Sequence, residues 1–403
     1  MPQSAPTIAD RRPAFAILTL AIGPAVGLGI CRFAYSLVLP DMRDSLDWSY
    51  ATAGAMNTIN AAGYLAGALL AAPLAKRIGL LRAVHLGLAM CLASLVLSSI
   101  SGAPIPFGFA RVLSGVGGAF ALVCGSALAA SIAQMHPMRA ALLIGLFYNG
   151  PAMGLIISGS ISPFILQGLG QGSWWIVWLV LTAISTVLAV PLVRIKLHPV
   201  SVGTSGQESS VWPIVPYLAG YFLYGAGYIA YLTFMIAYIR DDGGGAAAQS
   251  AFWCLIGLGG ISAPWIWRGL MARGRSGVAM ALMIGLTAIG AALPLAGSSP
   301  IIYALSALVF GNGFLATTIA TTAFARFNYP EPAWPRVIAI ITIIFSIGQI
   351  LGPIITGAIT DLTGTLSAAL AVSAGALALG ALVSLFQRAL PFSRSHSAPG
   401  KHP

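Results

Sequence analysis

The chain has 403 residues, of which 58% are hydrophobic and only 7% are charged. A soluble domain carries about 25% charged residues, so this composition excludes a globular protein with a water-facing surface. The net charge is +11, but the basic residues recur singly or in pairs between apolar runs, which argues against a nucleic-acid-binding surface.

About twelve apolar runs follow one another along the chain, and a helix needs about 20 such residues to cross a bilayer. The runs are long and do not alternate in polarity, which excludes the strands of a membrane barrel. The first run is too long for the apolar core of a cleaved signal peptide, so we interpret it as an uncleaved anchor. The predicted spans are 14–39, 50–75, 80–100, 105–132, 139–166, 173–194, 213–239, 249–271, 277–296, 300–325, 337–360 and 366–388.

The basic residues between the runs indicate an orientation. If the N-terminus is cytoplasmic, sixteen of the twenty lysines and arginines fall on the cytoplasmic side, and only Arg43 and Arg240 fall outside. Cytoplasmic loops of membrane proteins carry such an excess of positive charge. The pattern therefore predicts an even number of spans, with both termini in the cytoplasm.

The longest inner connection lies near the middle of the chain and predicts two halves. We expect a six-helix half over 1–195, a cytoplasmic linker over 196–211, a second six-helix half over 212–390, and a disordered polar tail over 391–403. Three small motifs recur in the same order in both halves, which indicates pseudo-symmetry. The pairs are Gly27-Leu-Gly29 with Gly225-Ala-Gly227, Ala72-Pro73 with Ala263-Pro264, and Gly150-Pro151 with Gly352-Pro353. Two parallel halves of this kind are typical of transporters that alternate access around a central cavity.

At these motifs the chain resembles the major facilitator superfamily. A stretch of the fourth run that begins at Arg111 resembles the arginine–glycine motif of the superfamily. The fifth run contains Asn149-Gly150-Pro151, which is similar to a motif often noted in exporters. The loop from Pro73 to Arg82 resembles the basic loop of the superfamily, except that Lys76 stands where an aspartate is usual. The resemblance implies gating or conformational roles for Lys76, Arg77, Gly79, Arg82, Gly150, Pro151, Gly352 and Pro353.

A narrower resemblance is to the bacterial YbfB/YjiJ-like subgroup. It is carried by Gly29-Ile-Cys-Arg32-Phe33-Ala34-Tyr35, by Leu39-Pro40, and by the seventh run from Gly225 to Phe234. This resemblance implies an all-α inner-membrane transporter with twelve helices and implies little about the substrate.

Two arginines, Arg32 and Arg111, lie deep in apolar runs, where a charge is costly and marks a candidate functional site. A guanidinium stays charged and binds carboxylate or phosphate in a bidentate manner, so an unpaired buried arginine favours an anionic substrate. Two alternatives remain for each: a structural charge bonded to helix carbonyls, or a side chain extended toward Asp41 or Asp44. Arg111 belongs to a motif shared by transporters of many substrates, so Arg32 is the sharper candidate.

Further polar and aromatic residues lie at helical spacing or near the middle of a run. Asn57, Asn60 and Tyr64 share one face of the second run, and Tyr35 follows Arg32 by one turn. Helix packing is at least an equal alternative for each of them. The complete set of predicted substrate-binding residues is Arg32, Tyr35, Asn57, Asn60, Tyr64, Arg111, Asn149, Tyr228, Tyr231, Trp253, Asn312 and Gln349.

The sequence lacks the residues that several kinds of chemistry require. No Asp or Glu lies clearly within a run, and no paired catalytic carboxylates, phosphate-binding loop or metal-ligand spacing occurs. We therefore predict no enzyme and no cofactor, but a monomeric secondary transporter of a small organic anion. An exporter of neutral or cationic hydrophobic compounds is the alternative, and a membrane sensor or scaffold is a third possibility.

Overall fold

The computed structural model describes residues 12–198, 210–271, 274–330 and 333–391, and leaves the side chains of Ala141, Arg268, Met271 and Pro335 undescribed. The described residues form helices and no strands, and twelve of the helices are long and apolar enough to cross a membrane. The predicted all-α fold with twelve spans is thereby confirmed. The spans α1 to α12 are Pro13–Leu46, Tyr50–Ile78, Leu80–Ile100, Pro104–Met135, Leu142–Leu169, Trp174–Arg194, Trp212–Asp241, Ala246–Ile266, Val278–Ala296, Pro300–Asn328, Arg336–Thr363 and Leu366–Leu385.

Helix pairing in the second six spans repeats that in the first. Helix α4 packs against α2 and α3, and α10 packs against α8 and α9; likewise α6 packs on α3, and α12 on α9. The exact division into halves, linker and tail stays a prediction. Residues 199–209 of the predicted linker and 392–403 of the tail lie outside the described residues, as do Arg11, Arg273, Arg394 and Lys401 of the predicted cytoplasmic charges.

Helix α1 contains a wider turn in its middle. Regular helix over Pro13–Pro24 gives way to a π-helical segment over Ala25–Ile30, and α-helix resumes at Tyr35. Pro24 has no N–H for the helix ladder, and Gly27 and Gly29 have low helix propensity, so this stretch deforms readily. The glycines also allow close packing, because a Cβ on Gly29 would lie 2.5 Å from a backbone carbon of α5. Arg32 follows directly on this turn.

Helix α5 is interrupted at Asn149. One helix ends at Tyr148 and the next begins at Gly150, with Pro151 in its first turn. Proline is tolerated in a first helical turn, where its missing N–H has no partner to lose. Asn149 and Pro151 both line the cavity that is described below.

The two ends of the bundle differ in charge. We call the end with Asp44, Asp241 and Asp361 the acidic end, and the opposite end, where α2 finishes with Lys76 and Arg77, the basic end. The acidic end corresponds to the side that the sequence predicts to be outside.

The two halves meet closely on the acidic side of the molecule. Helix α2 packs on α11, and α5 packs on α8. Thr58 donates a hydrogen bond to the carbonyl of Ile350 (2.6 Å), and Asn57 donates one to the hydroxyl of Thr233 (2.7 Å). A Cβ on Gly54 would overlap the carbonyl oxygen of Pro353. Backbone therefore touches backbone across the halves at this level.

Charged groups continue this contact at the acidic end. The carboxylate of Asp361 accepts hydrogen bonds from the backbone N–H groups of Tyr50 (2.9 Å) and Ala51 (2.8 Å), at the start of α2. Arg240 forms an ion pair with Asp44 at 2.6 Å. Each bond joins an element of one half to an element of the other, so the acidic end is closed.

Candidate functional site

A cavity lies between the halves, and its empty space, including the part that is open to solvent, is about 740 Å³. It lies on the basic side of the contacts that close the acidic end, because Tyr64 follows Thr58 in α2 and Gln349 precedes Pro353 in α11. Its lining residues are Leu28, Arg32, Phe33, Tyr64, Leu122, Tyr148, Asn149, Pro151, Tyr224, Tyr228, Gly260, Pro264, Phe314, Leu315, Thr318, Ile319, Phe345 and Gln349.

Arg32 lies in the wall of this cavity and is 3% exposed. Its Nε and Nη2 atoms are buried and have no hydrogen-bond partner, and no described carboxylate forms an ion pair with it. The guanidinium carbon lies 5.3 Å from the ring centroid of Tyr64 and 5.9 Å from that of Phe33. Aromatic faces attract a cation but satisfy none of its N–H donors, so Arg32 retains the need for an acceptor.

Arg111 has the opposite environment, although it is equally buried. Its Nη1 donates to the carbonyl of Cys31 (2.7 Å), its Nη2 donates to Oδ1 of Asn57 (2.7 Å) and reaches the carbonyl of Arg32 (3.4 Å), and its Nε donates to a carbonyl of α2 (3.3 Å). Its guanidinium also lies 4.6 Å from the ring centroid of Tyr35. Arg111 does not line the cavity. Its hydrogen bonds to the carbonyls of Cys31 and Arg32 stabilise the backbone of α1 at Arg32.

Neither arginine extends to the carboxylates that the sequence offered as partners. Asp41 accepts hydrogen bonds from the backbone N–H groups of Gly172 and Trp174, both at 2.9 Å. Asp44 pairs with Arg43 and Arg240. Asp41 and Asp44 are therefore engaged with backbone N–H groups and with other arginines.

Aromatic rings of the second half form the opposite side of the cavity. We call Tyr224, Tyr228, Phe314 and Phe345 the aromatic wall. Tyr228 stacks on Phe314 with ring centroids 5.0 Å apart, on Tyr224 at 5.0 Å, and on Phe345 at 5.7 Å. Phe33 of α1 meets Phe314 edge-on at 5.8 Å, so the wall reaches the neighbourhood of Arg32.

An amide adds a polar point to the aromatic wall. Gln349 donates a hydrogen bond from Nε2 to the hydroxyl of Tyr228, and its Oε1 is buried without a partner. Asn149 lines the same cavity from the interruption of α5. Of the twelve predicted binding residues, the cavity thus brings together Arg32, Tyr64, Asn149, Tyr228 and Gln349.

The other predicted binding residues lie outside the lining, and all of them except Trp253, whose indole nitrogen is buried without a partner, form hydrogen bonds within the protein. The hydroxyl of Tyr35 donates to the carbonyl of Ala53 at 2.9 Å. Asn57 bridges Arg111 and Thr233, and Asn60 donates to the carbonyl of Arg111 and to Ser114. These bonds are helix–helix contacts, the alternative that the sequence left open for them.

Three predicted residues of the second half are likewise placed away from the cavity. Tyr231 shares a hydrogen bond with Ser306, and Asn312 accepts one from the indole of Trp267. Trp253 is fully buried in the α5–α8 contact, where a Cβ on Gly159 would lie 2.9 Å from its ring. A role for any of them in binding stays a prediction.

The residues with predicted gating roles lie at both ends and near the centre. Gly150, Pro151, Gly352 and Pro353 lie at close helix contacts or in the cavity wall; a Cβ on Gly352, for instance, would lie 2.9 Å from the carbonyl carbon of Ala226. At the basic end, Gly79 has φ of +89° and links α2 to α3. Lys76, Arg77 and Arg82 flank this turn.

Sequence reasoning missed most of the aromatic wall. Phe314 and Phe345 were not singled out, because a phenylalanine in an apolar run has the same sequence signal whether it faces lipid or a cavity. Tyr148 was also missed, although it lies beside the predicted Asn149. Among the described residues, no group of three His, Cys, Asp or Glu side chains is placed to hold a metal ion.

Solved structures of transporters share this architecture. A point mutant of the nucleoside transporter NupG matches with a TM-score of 0.69 at 13% identity, over 91% of this chain and 99% of that chain. Another structure of NupG matches with a TM-score of 0.68 at 14% identity, over 91% and 97% of the two chains. At this identity the likeness shows the fold alone. No curated protein matches the chain.

A family model agrees with both the fold and the sequence motifs. The model described as "Uncharacterised MFS-type transporter YbfB" matches residues 24–385, which include all twelve predicted binding residues and most of every span. The predicted resemblance is thereby confirmed, and the protein belongs to the YbfB family of MFS-type transporters.

Proposed function

We propose that this MFS-type secondary transporter moves a small organic anion, and that Arg32 is the cation that binds it. The observation that carries the proposal is the pair of buried, unpartnered nitrogens on Arg32 in the cavity wall. An N–H donor without a partner costs about 1–3 kcal/mol, and more when the group is charged. An anionic substrate would remove this cost by accepting both hydrogen bonds.

The charge of the cavity supports an anion over a cation. Among the described residues, no Asp or Glu lines the cavity, whereas Arg32 does. A cationic substrate would meet a like charge at short range in a site of low dielectric, where the repulsion is large. Because the described lining residues include no carboxylate, the cavity offers no side chain for a carboxylate proton relay, and a proton could accompany the substrate on the substrate's own acid group.

The closed acidic end supports alternating access. Backbone contacts and the bonds of Asp361 and Arg240 join the halves there, while the cavity lies on the basic side. If the basic end is cytoplasmic, as the loop charges predict, this conformation presents Arg32 toward the cytoplasm. Rocking of the halves would then open the acidic end. We place the protein in a bacterial inner membrane as a monomer surrounded by lipid.

A neutral aromatic compound is the second candidate substrate. The aromatic wall favours it, since stacked rings bind flat apolar molecules without requiring charge. The NupG structures are described as those of a nucleoside transporter, and a nucleoside is a neutral molecule with a flat base. This candidate would leave the two nitrogens of Arg32 without an acceptor of full negative charge.

Transport by the Arg32→Gln variant tests the proposal. Full-length protein in proteoliposomes would be screened for uptake of anionic, neutral and cationic solutes, and each active solute would be tested with Arg32→Gln. Glutamine keeps hydrogen-bonding capacity and removes the charge, so anion uptake should fall to the level of empty liposomes with little change in melting temperature. The matched control is Arg139→Gln, which removes a charge from an exposed loop. Wild-type anion uptake in Arg32→Gln, or uptake of cations alone, would refute the proposal.

A further inference from the structure

Building on the proposed anion transport, we infer that the substrate is a flat aromatic monocarboxylate. Its carboxylate would lie on Arg32, and its ring would pack against Tyr228 and Phe314 of the aromatic wall. Three features carry this inference: the geometry of the two free nitrogens, the number of free cations, and the position of the aromatic rings.

The two unpartnered atoms of Arg32 form one edge of its guanidinium. Nε and Nη2 carry N–H bonds that point in the same direction, at the spacing of the two oxygens of a carboxylate. Both are buried without a partner. The unpartnered edge of Arg32 therefore fits a single planar acceptor that takes both hydrogen bonds. The plane of this acceptor would continue the plane of the guanidinium.

Among the described residues that line the cavity, Arg32 alone offers such an edge. Arg111, the other buried arginine, donates its hydrogen bonds to Asn57 and to backbone carbonyls, and it does not line the cavity. No other described Lys, Arg or His lines the cavity. A second carboxylate on the substrate would be taken from water into a site without a counter-charge, which is strongly unfavourable. The cavity therefore selects monoanions over dianions.

The rings lie where the body of such an anion would extend. The guanidinium of Arg32 lies near the rings of Tyr64 and Phe33, and Phe33 meets Phe314 edge-on at 5.8 Å. Phe314 and Tyr228 present a stacked pair at 5.0 Å. An aromatic ring gains from such partners beyond its buried area, by roughly two- to tenfold in affinity for each good pair. A saturated ring of similar size gains only from burial.

Four small probes separate charge from aromaticity. Benzoate is the reference. Cyclohexanecarboxylate replaces its aromatic ring by a saturated one, benzamide is a neutral analogue, and terephthalate carries a second carboxylate. Dissociation constants would be measured by calorimetry on full-length protein in detergent. We expect benzoate to bind roughly two- to tenfold more tightly than cyclohexanecarboxylate, and at least tenfold more tightly than benzamide or terephthalate.

Two variants assign these differences to residues. Phe314→Leu keeps an apolar side chain and should bring benzoate to the affinity of cyclohexanecarboxylate, whereas Arg32→Gln should abolish binding of both carboxylates. Phe164→Leu, at a half-exposed position on the surface of α5, is the matched control and should leave all four affinities unchanged. The comparison of the four probes on the wild-type protein stands even if Phe314→Leu fails to fold.

The outcomes distinguish this inference from the function on which it rests. Equal or tighter binding of cyclohexanecarboxylate, or of terephthalate, overturns the aromatic monocarboxylate and leaves anion transport standing. Binding of benzamide with no binding of any carboxylate, or no binding of any of the four probes, overturns both.

Discussion

Gly54→Ala should open the acidic end of the transporter. Gly54 lies where α2 crosses α11, and a methyl group there would overlap the carbonyl oxygen of Pro353 and lie 2.8 Å from its carbonyl carbon. Both atoms belong to the backbone of a helix and cannot turn aside as a flexible side chain could. The crossing accommodates the methyl only if the two halves separate.

The expected magnitude follows from the cost of overpacking. An extra methyl in a close-packed contact costs about 1–3 kcal/mol, and it acts here only on the conformation that is closed at the acidic end. This difference shifts the equilibrium by roughly 5- to 150-fold. If the conformation open at the acidic end holds about 1% of wild-type molecules, the variant should hold between about 5% and about 60% in that form.

Distances between spin labels measure this shift directly. Gln171 and Ser298 are exposed positions in acidic-end loops of the two halves, and Met138 and Phe386 are exposed positions near the basic end. Cysteine pairs at these positions would be labelled in a background with the half-buried Cys254 replaced by serine. Gly54→Ala should lengthen the acidic-end distance in part of the molecules and shorten the basic-end distance in the same fraction.

Gly375→Ala is the matched control, because a Cβ at that helical position meets nothing within 4 Å. It should leave both distance distributions as in the wild-type protein. Identical distributions in Gly54→Ala and Gly375→Ala would refute the reasoning, since the contact with Pro353 would then not decide which conformation is populated.

Three further variants have defined expectations. Asp361→Asn removes the negative charge from the start of α2, a favourable interaction of about 1 kcal/mol, so the same label pairs should report roughly fivefold more of the open acidic end; a shift toward closure would contradict this. Arg111→Met leaves several carbonyls and Asn57 without their donor, at about 1–3 kcal/mol for each, so its melting temperature should fall well below that of Arg32→Gln; equal melting temperatures would contradict the assignment of structural bonds to Arg111 alone. Gly79→Ala forces a side chain to φ of +89°, at a cost of about 1–2 kcal/mol, so calorimetry should show a lower melting temperature, and an unchanged value would show that the turn rearranges freely.

Much of the fold could be predicted because membrane spans are encoded locally. A run of about 20 apolar residues is readable without knowing its neighbours, and backbone groups in lipid must be paired within a helix. The sequence also led to the YbfB family, through short motifs around Arg32 and in the seventh run from Gly225 to Phe234. It misplaced element ends, since α1 extends to Leu46 rather than to Leu39 and carries a π-helical turn that no residue pattern announced.

The candidate site was predictable only in part. Helical spacing put Asn57, Asn60 and Tyr64 on one face, but that face spans contacts with two different helices. Tyr64 reaches the cavity, while Asn57 and Asn60 bond to Arg111, Thr233 and Ser114. Periodicity gives the direction of a side chain from its own helix axis, and the partner it meets depends on how the helices are packed.

The sequence by itself determined that two arginines lie deep in the apolar runs of a membrane protein, and it left open whether Asp41 or Asp44 pairs with them. Only the tertiary structure decided how they differ. Carbonyls of α1 and α2 and the amide of Asn57 surround Arg111, whereas rings surround Arg32 and leave two of its nitrogens free. Whether a backbone carbonyl can accept a hydrogen bond from an arginine depends on local helix geometry and on the packing of neighbouring helices. Neither can be inferred from the residues beside the arginine. The motifs made Arg32 the sharper candidate, but only the folded molecule shows that two of its nitrogens lack partners while those of Arg111 are bonded.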